Sequence, residues 1–153
     1  GLVMHGSHVI KSWSTNQSVI ALSPGEAEYY ALVKAASVSI GVKTIMRDMG
    51  IELTEPIVIK SDASAAIGIA NRIGIGKVRH IEVNQLWLQE KVSKNKISII
   101  KVGTEENLAD ALTKAVDAKI ISKHVAGVGA CVRIDRHRLA PKIDKADNLY
   151  EES

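Results

Sequence analysis

The stretch SPGEAEYYALVKAASVSIGVKTIMRDMG, Ser23–Gly50, decides the fold. Ser23 stands where a helix N-cap belongs, Pro24 takes the first helical position and Glu26 the third, which together form a capping box. Behind it Ala27, Ala31, Ala35, Val38, Val42, Ile45 and Met49 recur at helical spacing, and Gly50 supplies a C-terminal stop. The spacing predicts one long amphipathic helix of about seven turns.

Strands are expected on both sides of this helix. Upstream, Leu2–Met4 and Val9–Trp13 flank His5-Gly6-Ser7 and read as a β-hairpin, and Ser18–Leu22 as a third short strand. Downstream, the β-branched run Ile57–Lys60 ends in Ser61-Asp62, and helical composition resumes from Ala63 to Asn71. Gly74–Lys77 reads as a loop and Ile81–Lys94 as a helix carrying Ile81, Leu88 and Val92 on one side. Ile97–Val102 is a further strand. Thr104-Glu105-Glu106 then opens a third helix with Leu108, Ala111, Leu112 and Ala115 in the i, i+3, i+4, i+7 pattern. Strand, helix and strand in this order indicate an α/β fold. The expected sheet is mixed, antiparallel at the hairpin and parallel at 57–61 and 97–102, with helices on its faces. The domain is expected to span 1–126, with 127–153 a tail, basic over Arg133–Lys145 and acidic over Asp147–Glu152.

Composition narrows the function classes. Of 153 residues 46% are hydrophobic but only 3% aromatic, with no Phe, so Ile, Val, Leu and Ala must build the core; Trp13 and Trp87 are expected to join it. No apolar run is long enough to span a membrane. The first residues, Gly1–Met4, have neither the charge nor the length of a signal peptide and read as the continuation of a longer chain. The single cysteine, Cys131, excludes an intrachain disulfide and a multi-cysteine zinc site, which points to a reducing intracellular compartment, cytoplasm or nucleus. A net charge of +3 permits nucleic-acid binding without arguing for it.

Three carboxylates stand at positions with structural meaning. Asp62 closes the strand 57–61, and ligand sites of α/β sheets lie beyond the carboxyl ends of the strands. Glu28 lies in the first turns of the long helix and Asp110 near the start of the last. Converging acids repel one another unless a cation or a raised pKa relieves them, and all-oxygen ligation suits Mg²⁺ or Mn²⁺. The chemistry that fits is metal-assisted phosphoryl hydrolysis. Each acid also has a plainer role: Glu28 and Asp110 as solvated helix residues, Asp62 as the N-cap of the following helix. Lys77, Arg79 and Lys91 are candidate phosphate contacts, Lys43 and Arg47 solvated helix positions, and His124 a surface residue.

SWSTNQSVIALSPGEAEYYAL (Ser12–Leu32) resembles the stretch leading into the first helix of copia-type retrotransposon ribonuclease H domains. SDASAAIGIA (Ser61–Ala70) resembles their second acidic motif. VRHIEV (Val78–Val83), LQEKV (Leu88–Val92) and ISIIKVGTEENLADALTK (Ile97–Lys114) continue the same order, so the resemblance covers about 1–115. It implies a ribonuclease H-like fold that hydrolyses the RNA strand of an RNA–DNA hybrid with two Mg²⁺ or Mn²⁺ ions, downstream of reverse transcriptase in a Pol polyprotein. The family's helix glutamate falls on Glu28, its strand-end aspartate on Asp62 and its last aspartate on Asp110. His80 matches a recurrent family histidine without a known chemical role. The family carries a further aspartate on a first strand upstream of the hairpin, which this sequence does not contain. The isolated chain is therefore expected to be catalytically poor. The competing expectations are a non-catalytic structural or nucleic-acid-binding remnant and, less well matched, another metal-dependent nuclease or an integrase-like domain.

Overall fold

A computed structural model describes residues 1–18, 20–74, 86–112 and 115–130. Its elements in chain order are strands β1 (Leu2–His5) and β2 (His8–Ser12), helix α1 (Pro24–Asp48), strand β3 (Ile57–Ser61), helices α2 (Ser64–Asn71) and α3 (Trp87–Ser93), strand β4 (Ile97–Lys101) and helix α4 (Ala118–Gly127). Two single 3₁₀ turns, Thr104–Glu106 and Asp110–Leu112, lie between β4 and α4. Among the described residues no helix is long and apolar enough to cross a membrane.

The hairpin forms as the sequence indicates, β1 antiparallel to β2 with Gly6 at φ +58 in the turn. β3 and β4 pair in parallel, Ile57 opposite Ile97 through Ser61 opposite Lys101. The two pairs do not join, however: there are two two-stranded sheets where one mixed sheet was expected. No described strand lies between them to carry the hydrogen bonds across. The expected strand at 18–22 is also absent from the described residues there, Ser18 and Ile20–Leu22. That segment is committed to the helix instead. The Leu22 N–H donates to Glu26 Oε2 (2.8 Å), and the Glu26 N–H donates to Ser23 Oγ (3.2 Å). This is the capping box, with its return bond one residue upstream of the N-cap.

α1 runs 25 residues, about 37 Å at 1.5 Å per residue, and ends before Gly50 at φ +83. Its most buried side is not the one the alanine spacing indicated, although Ala35 of that stripe packs against the core. Tyr29, Tyr30, Leu32, Val33 and Ala36 are buried, whereas Ile45 and Met49 are 60% and 70% exposed. Burial free energy scales with apolar area, so two tyrosines, a leucine and a valine outweigh a stripe of alanines. The core is completed by Ile59, Ala66, Ile69, Ala70, Leu88 and Ile97, which join α1 and α2 to β3, β4 and α3.

Gln89, itself buried, ties α3 to the end of α2. Its Nε2 donates to the carbonyls of Ile69 (2.8 Å) and Gly74 (3.1 Å), and its Oε1 accepts from the Gly74 N–H (3.0 Å). Of the helix expected over 81–94 the described part is α3; Ile81 lies outside the described residues. The helix expected from Thr104 breaks into two turns at Asn107, whose side-chain oxygen accepts from the Ala109 N–H (3.2 Å) in place of a continuing helical bond. α4, not foreseen in the sequence, packs on this segment. A Cβ at Gly127 would sit 2.7 Å from Leu108 Cδ2, so a larger residue there would have to displace the Leu108 side chain. His124 is buried, its Nδ1 3.0 Å from the Leu108 carbonyl, and not a surface residue: α4 needs a polar partner for that carbonyl.

Candidate carboxylate site

Beyond the carboxyl end of β3 a cleft of about 730 Å³ opens between α1, β3, the Trp13–Ser18 segment and the turns after β4. Glu28, Asp62 and Asp110 all line it. Each arrives by a different route. Glu28 projects from the second turn of α1, exposed, one residue before the buried tyrosine pair. Asp62 directly follows β3. Asp110 opens the second 3₁₀ turn, its N–H donating to the Asn107 carbonyl (3.1 Å).

Asn107 joins two of the three. Its Nδ2 lies 3.3 Å from Asp62 Oδ1 and 3.5 Å from Asp110 Oδ1, so one amide donates toward both carboxylates. The same side chain, held by the Ala109 N–H, breaks the helix and brings Asp110 back to β3. The sequence reading passed over Asn107 because it carries no charge. The signal available was its place three residues before Asp110, in a segment where asparagine competes with helix for backbone donors.

Asp62 is not the cap of α2. The N-cap is Ala63, with no side-chain cap bond, and the Ala63 N–H donates to Ser61 Oγ (3.2 Å). The Asp62 carboxylate is thus left to the cleft. Trp13 and Trp87 are half-buried in the cleft walls; Trp87 also packs against the core, as expected, and Trp13 does not join it. Lys34 and Lys60 also line the cleft and bring positive charge beside the three acids.

The donor set is all oxygen, which suits a hard divalent cation. Asp62 and Asp110 both lie within reach of one amide. Glu28 stands on the helical wall of the cleft. Among the described residues no three His, Cys, Asp or Glu side chains are close enough to hold one metal ion between them. Of the candidate phosphate contacts and the family histidine, Lys77, Arg79 and His80 lie outside the described residues, as does Cys131. Lys91 is on α3 and lines a different cleft, at the amino end of β3 and β4.

No family model matches the chain, and no solved structure matches it. Curated proteins do. Over 107 residues it is 34% identical to a retrovirus-related Pol polyprotein from transposon TNT 1-94 of Nicotiana tabacum, covering 69% of this chain and 8% of that polyprotein. The corresponding polyprotein of transposon RE1 of Arabidopsis thaliana is 27% identical over 131 residues, 84% of this chain and 9% of the relative. That of transposon RE2, from the same plant, is 28% identical over 116 residues, 74% and 8%. The chain thus spans less than a tenth of the length of these relatives. It is homologous to a segment of the retrovirus-related Pol polyproteins of plant transposons.

Proposed function

We propose that this segment is the ribonuclease H-like part of a retrotransposon Pol polyprotein, hydrolysing RNA in RNA–DNA hybrids. The observation that carries this reading is a convergence. Three acids at positions 28, 62 and 110, singled out in the sequence, line one cleft beyond the carboxyl end of a parallel strand pair. Glu28, Asp62 and Asp110 would hold Mg²⁺ or Mn²⁺. Bound there, such ions would lower the pKa of a water and offer positive charge to the departing oxygen of the phosphodiester. The chain's own side chains do the positioning. Asn107 keeps Asp62 and Asp110 at one spot, and the β3 backbone fixes Asp62 at the mouth. A fourth carboxylate would come from sequence upstream of Gly1 in the polyprotein, beside reverse transcriptase. Lys77 and Arg79 are proposed as phosphate contacts.

A second reading, a non-catalytic remnant, is favoured by one observation: the three carboxylates do not form a three-ligand cluster among the described residues. Both readings are tested by Mg²⁺-dependent cleavage of a labelled hybrid. The assay uses this chain and a longer polyprotein segment that includes the preceding sequence. The expected result is weak or no turnover by the chain, clear turnover by the longer segment, and loss of that turnover on Asp62→Asn. A longer segment that binds neither Mn²⁺ nor hybrid would leave the remnant reading in place.

A further inference from the structure

At the opposite end of the β3–β4 pair a second cleft, of about 370 Å³, opens between the C-terminal half of α1, residues 52–54 and the strand starts. Aliphatic side chains line it: Ile40, Leu53, Ile57 and Ile97. Among the described residues four cations surround them, Lys43, Arg47, Lys91 and Lys96, against one carboxylate, Glu52. Lys43 Nζ donates to the Glu55 carbonyl (2.8 Å), which fixes its ammonium across the wall between α1 and the loop before β3. Among the described residues the side-chain ion pairs are Arg47–Asp48 and Glu90–Lys94, both exposed. Lys43, Lys91 and Lys96 take part in neither pair, although the Glu90 carboxylate feels the charge of Lys91.

We propose that this cleft binds an acidic peptide segment of a partner protein, anchored by a large aliphatic side chain. The ligand class follows from two demands. The aliphatic walls gain by covering apolar surface, and the cations gain by meeting carboxylates on either side of the anchor. A nucleic-acid single strand meets only the second demand. Such strands bind where aromatic side chains offer stacking platforms, and among the described residues no aromatic side chain lines this cleft. A duplex is too wide for so small a concavity. The volume lies within the range of clefts that enclose small ligands or an anchoring side chain. The proposal does not depend on the nuclease reading, since none of the three acids of the carboxylate site lines this cleft.

The test is fluorescence anisotropy of the full chain with a labelled peptide, Asp-Glu-Leu-Leu-Glu-Asp. The same peptide with both leucines replaced by serine and a twelve-nucleotide DNA strand serve as comparators. Saturable binding is expected, weakened about tenfold by the leucine replacement and about tenfold by Lys91→Glu with Lys96→Glu. Asp62→Asn should leave it unchanged. Circular dichroism checks that the double variant is folded, and Arg47→Glu, at an exposed helix position, provides a second reversal of charge. Equal binding of the serine peptide, stronger binding of the DNA strand, or indifference to both charge reversals would overturn the proposal.

Discussion

At the carboxyl end of the β3–β4 pair stand Glu28, Asp62 and Asp110; at the amino end stand Lys43, Arg47, Lys91 and Lys96. The two clefts are separated by little more than the strand itself, about 13 Å for four steps of an extended chain. A net charge of +3 conceals this division, because 20 basic and 17 acidic residues nearly cancel in the sum. The clefts also differ in construction. The carboxylate cleft gathers distant segments through one asparagine, and the basic cleft is framed by the end of one helix and the starts of two strands. α1 walls both, with Glu28 near its first turn and Lys43 and Arg47 in its last two.

The shared core should tie the two ends together, and Leu88→Ala tests this most severely. Leu88, on α3, is fully buried where that helix packs on α2 and β4. Its truncation should cost about 2–5 kcal/mol, seen as a lower urea midpoint. Mn²⁺ binding at one end and peptide binding at the other should then fail at the same denaturant concentration. Separate failure would mean that the ends are independent folding units.

Alkali should act on the same core. Burial pushes the Tyr29 phenol up to about 12 from 10.0, partly countered by Arg72. The folded state thus holds its proton more tightly than the unfolded chain does. The resulting stability is complete below pH 10 and disappears as pH rises from about 10 to 12. Urea midpoints at pH 9 and pH 11 should differ more for the natural chain than for Tyr29→Phe. An equal fall in both would assign the alkaline loss to other groups.

A third change separates the clefts. Asn107→Ala removes the amide that joins Asp62 and Asp110, and groups that orient ligands typically contribute about 10–100-fold to metal affinity. Under the nuclease reading, Mn²⁺ affinity should fall toward the lower end of that range, because the two contacts are long. Peptide binding at the basic cleft should not move. Unchanged Mn²⁺ affinity would make Asn107 a loop residue and nothing more.

Much of this was legible in the sequence, for identifiable reasons. The capping box, the β-branched run 57–61 and the strand at 97–101 were readable because their signals are local: a cap, a composition, a period. The three acids were readable because two sit at element boundaries and all fall on motifs of a family resemblance. What was not legible depends on partners in space. The buried side of α1 went to Tyr29, Tyr30 and Val33 because they carry the larger apolar area, which the regular alanine spacing obscured. The last helix broke because Asn107 found Ala109 and two carboxylates, one of them 45 residues away in sequence. His124 is buried because α4 folds back on Leu108, which nothing near His124 in the chain announces. The basic cleft was missed, since Lys43 and Arg47 look like solvated helix charges and Lys91 like a separate phosphate contact until the strands bring them and Lys96 together.

The smallest expected effect tests whether α1 transmits change between the clefts at all. Ser23→Ala removes the acceptor for the Glu26 N–H, and a lost N-cap costs about 1 kcal/mol. The Glu26 carboxylate keeps its own bond to the Leu22 N–H, so the helix start should loosen without unravelling. Fraying is confined to the terminal turns when the rest of a helix is held by packing, and Tyr29, Tyr30, Leu32 and Val33 hold this one. Amides of the first turns, where Glu28 stands, should therefore exchange with solvent about fivefold faster, the equivalent of about 1 kcal/mol. Amides from Ile40 to Asp48 should keep their rates. If both halves quicken equally, α1 opens as one unit, and occupancy of either cleft must then be felt at the other.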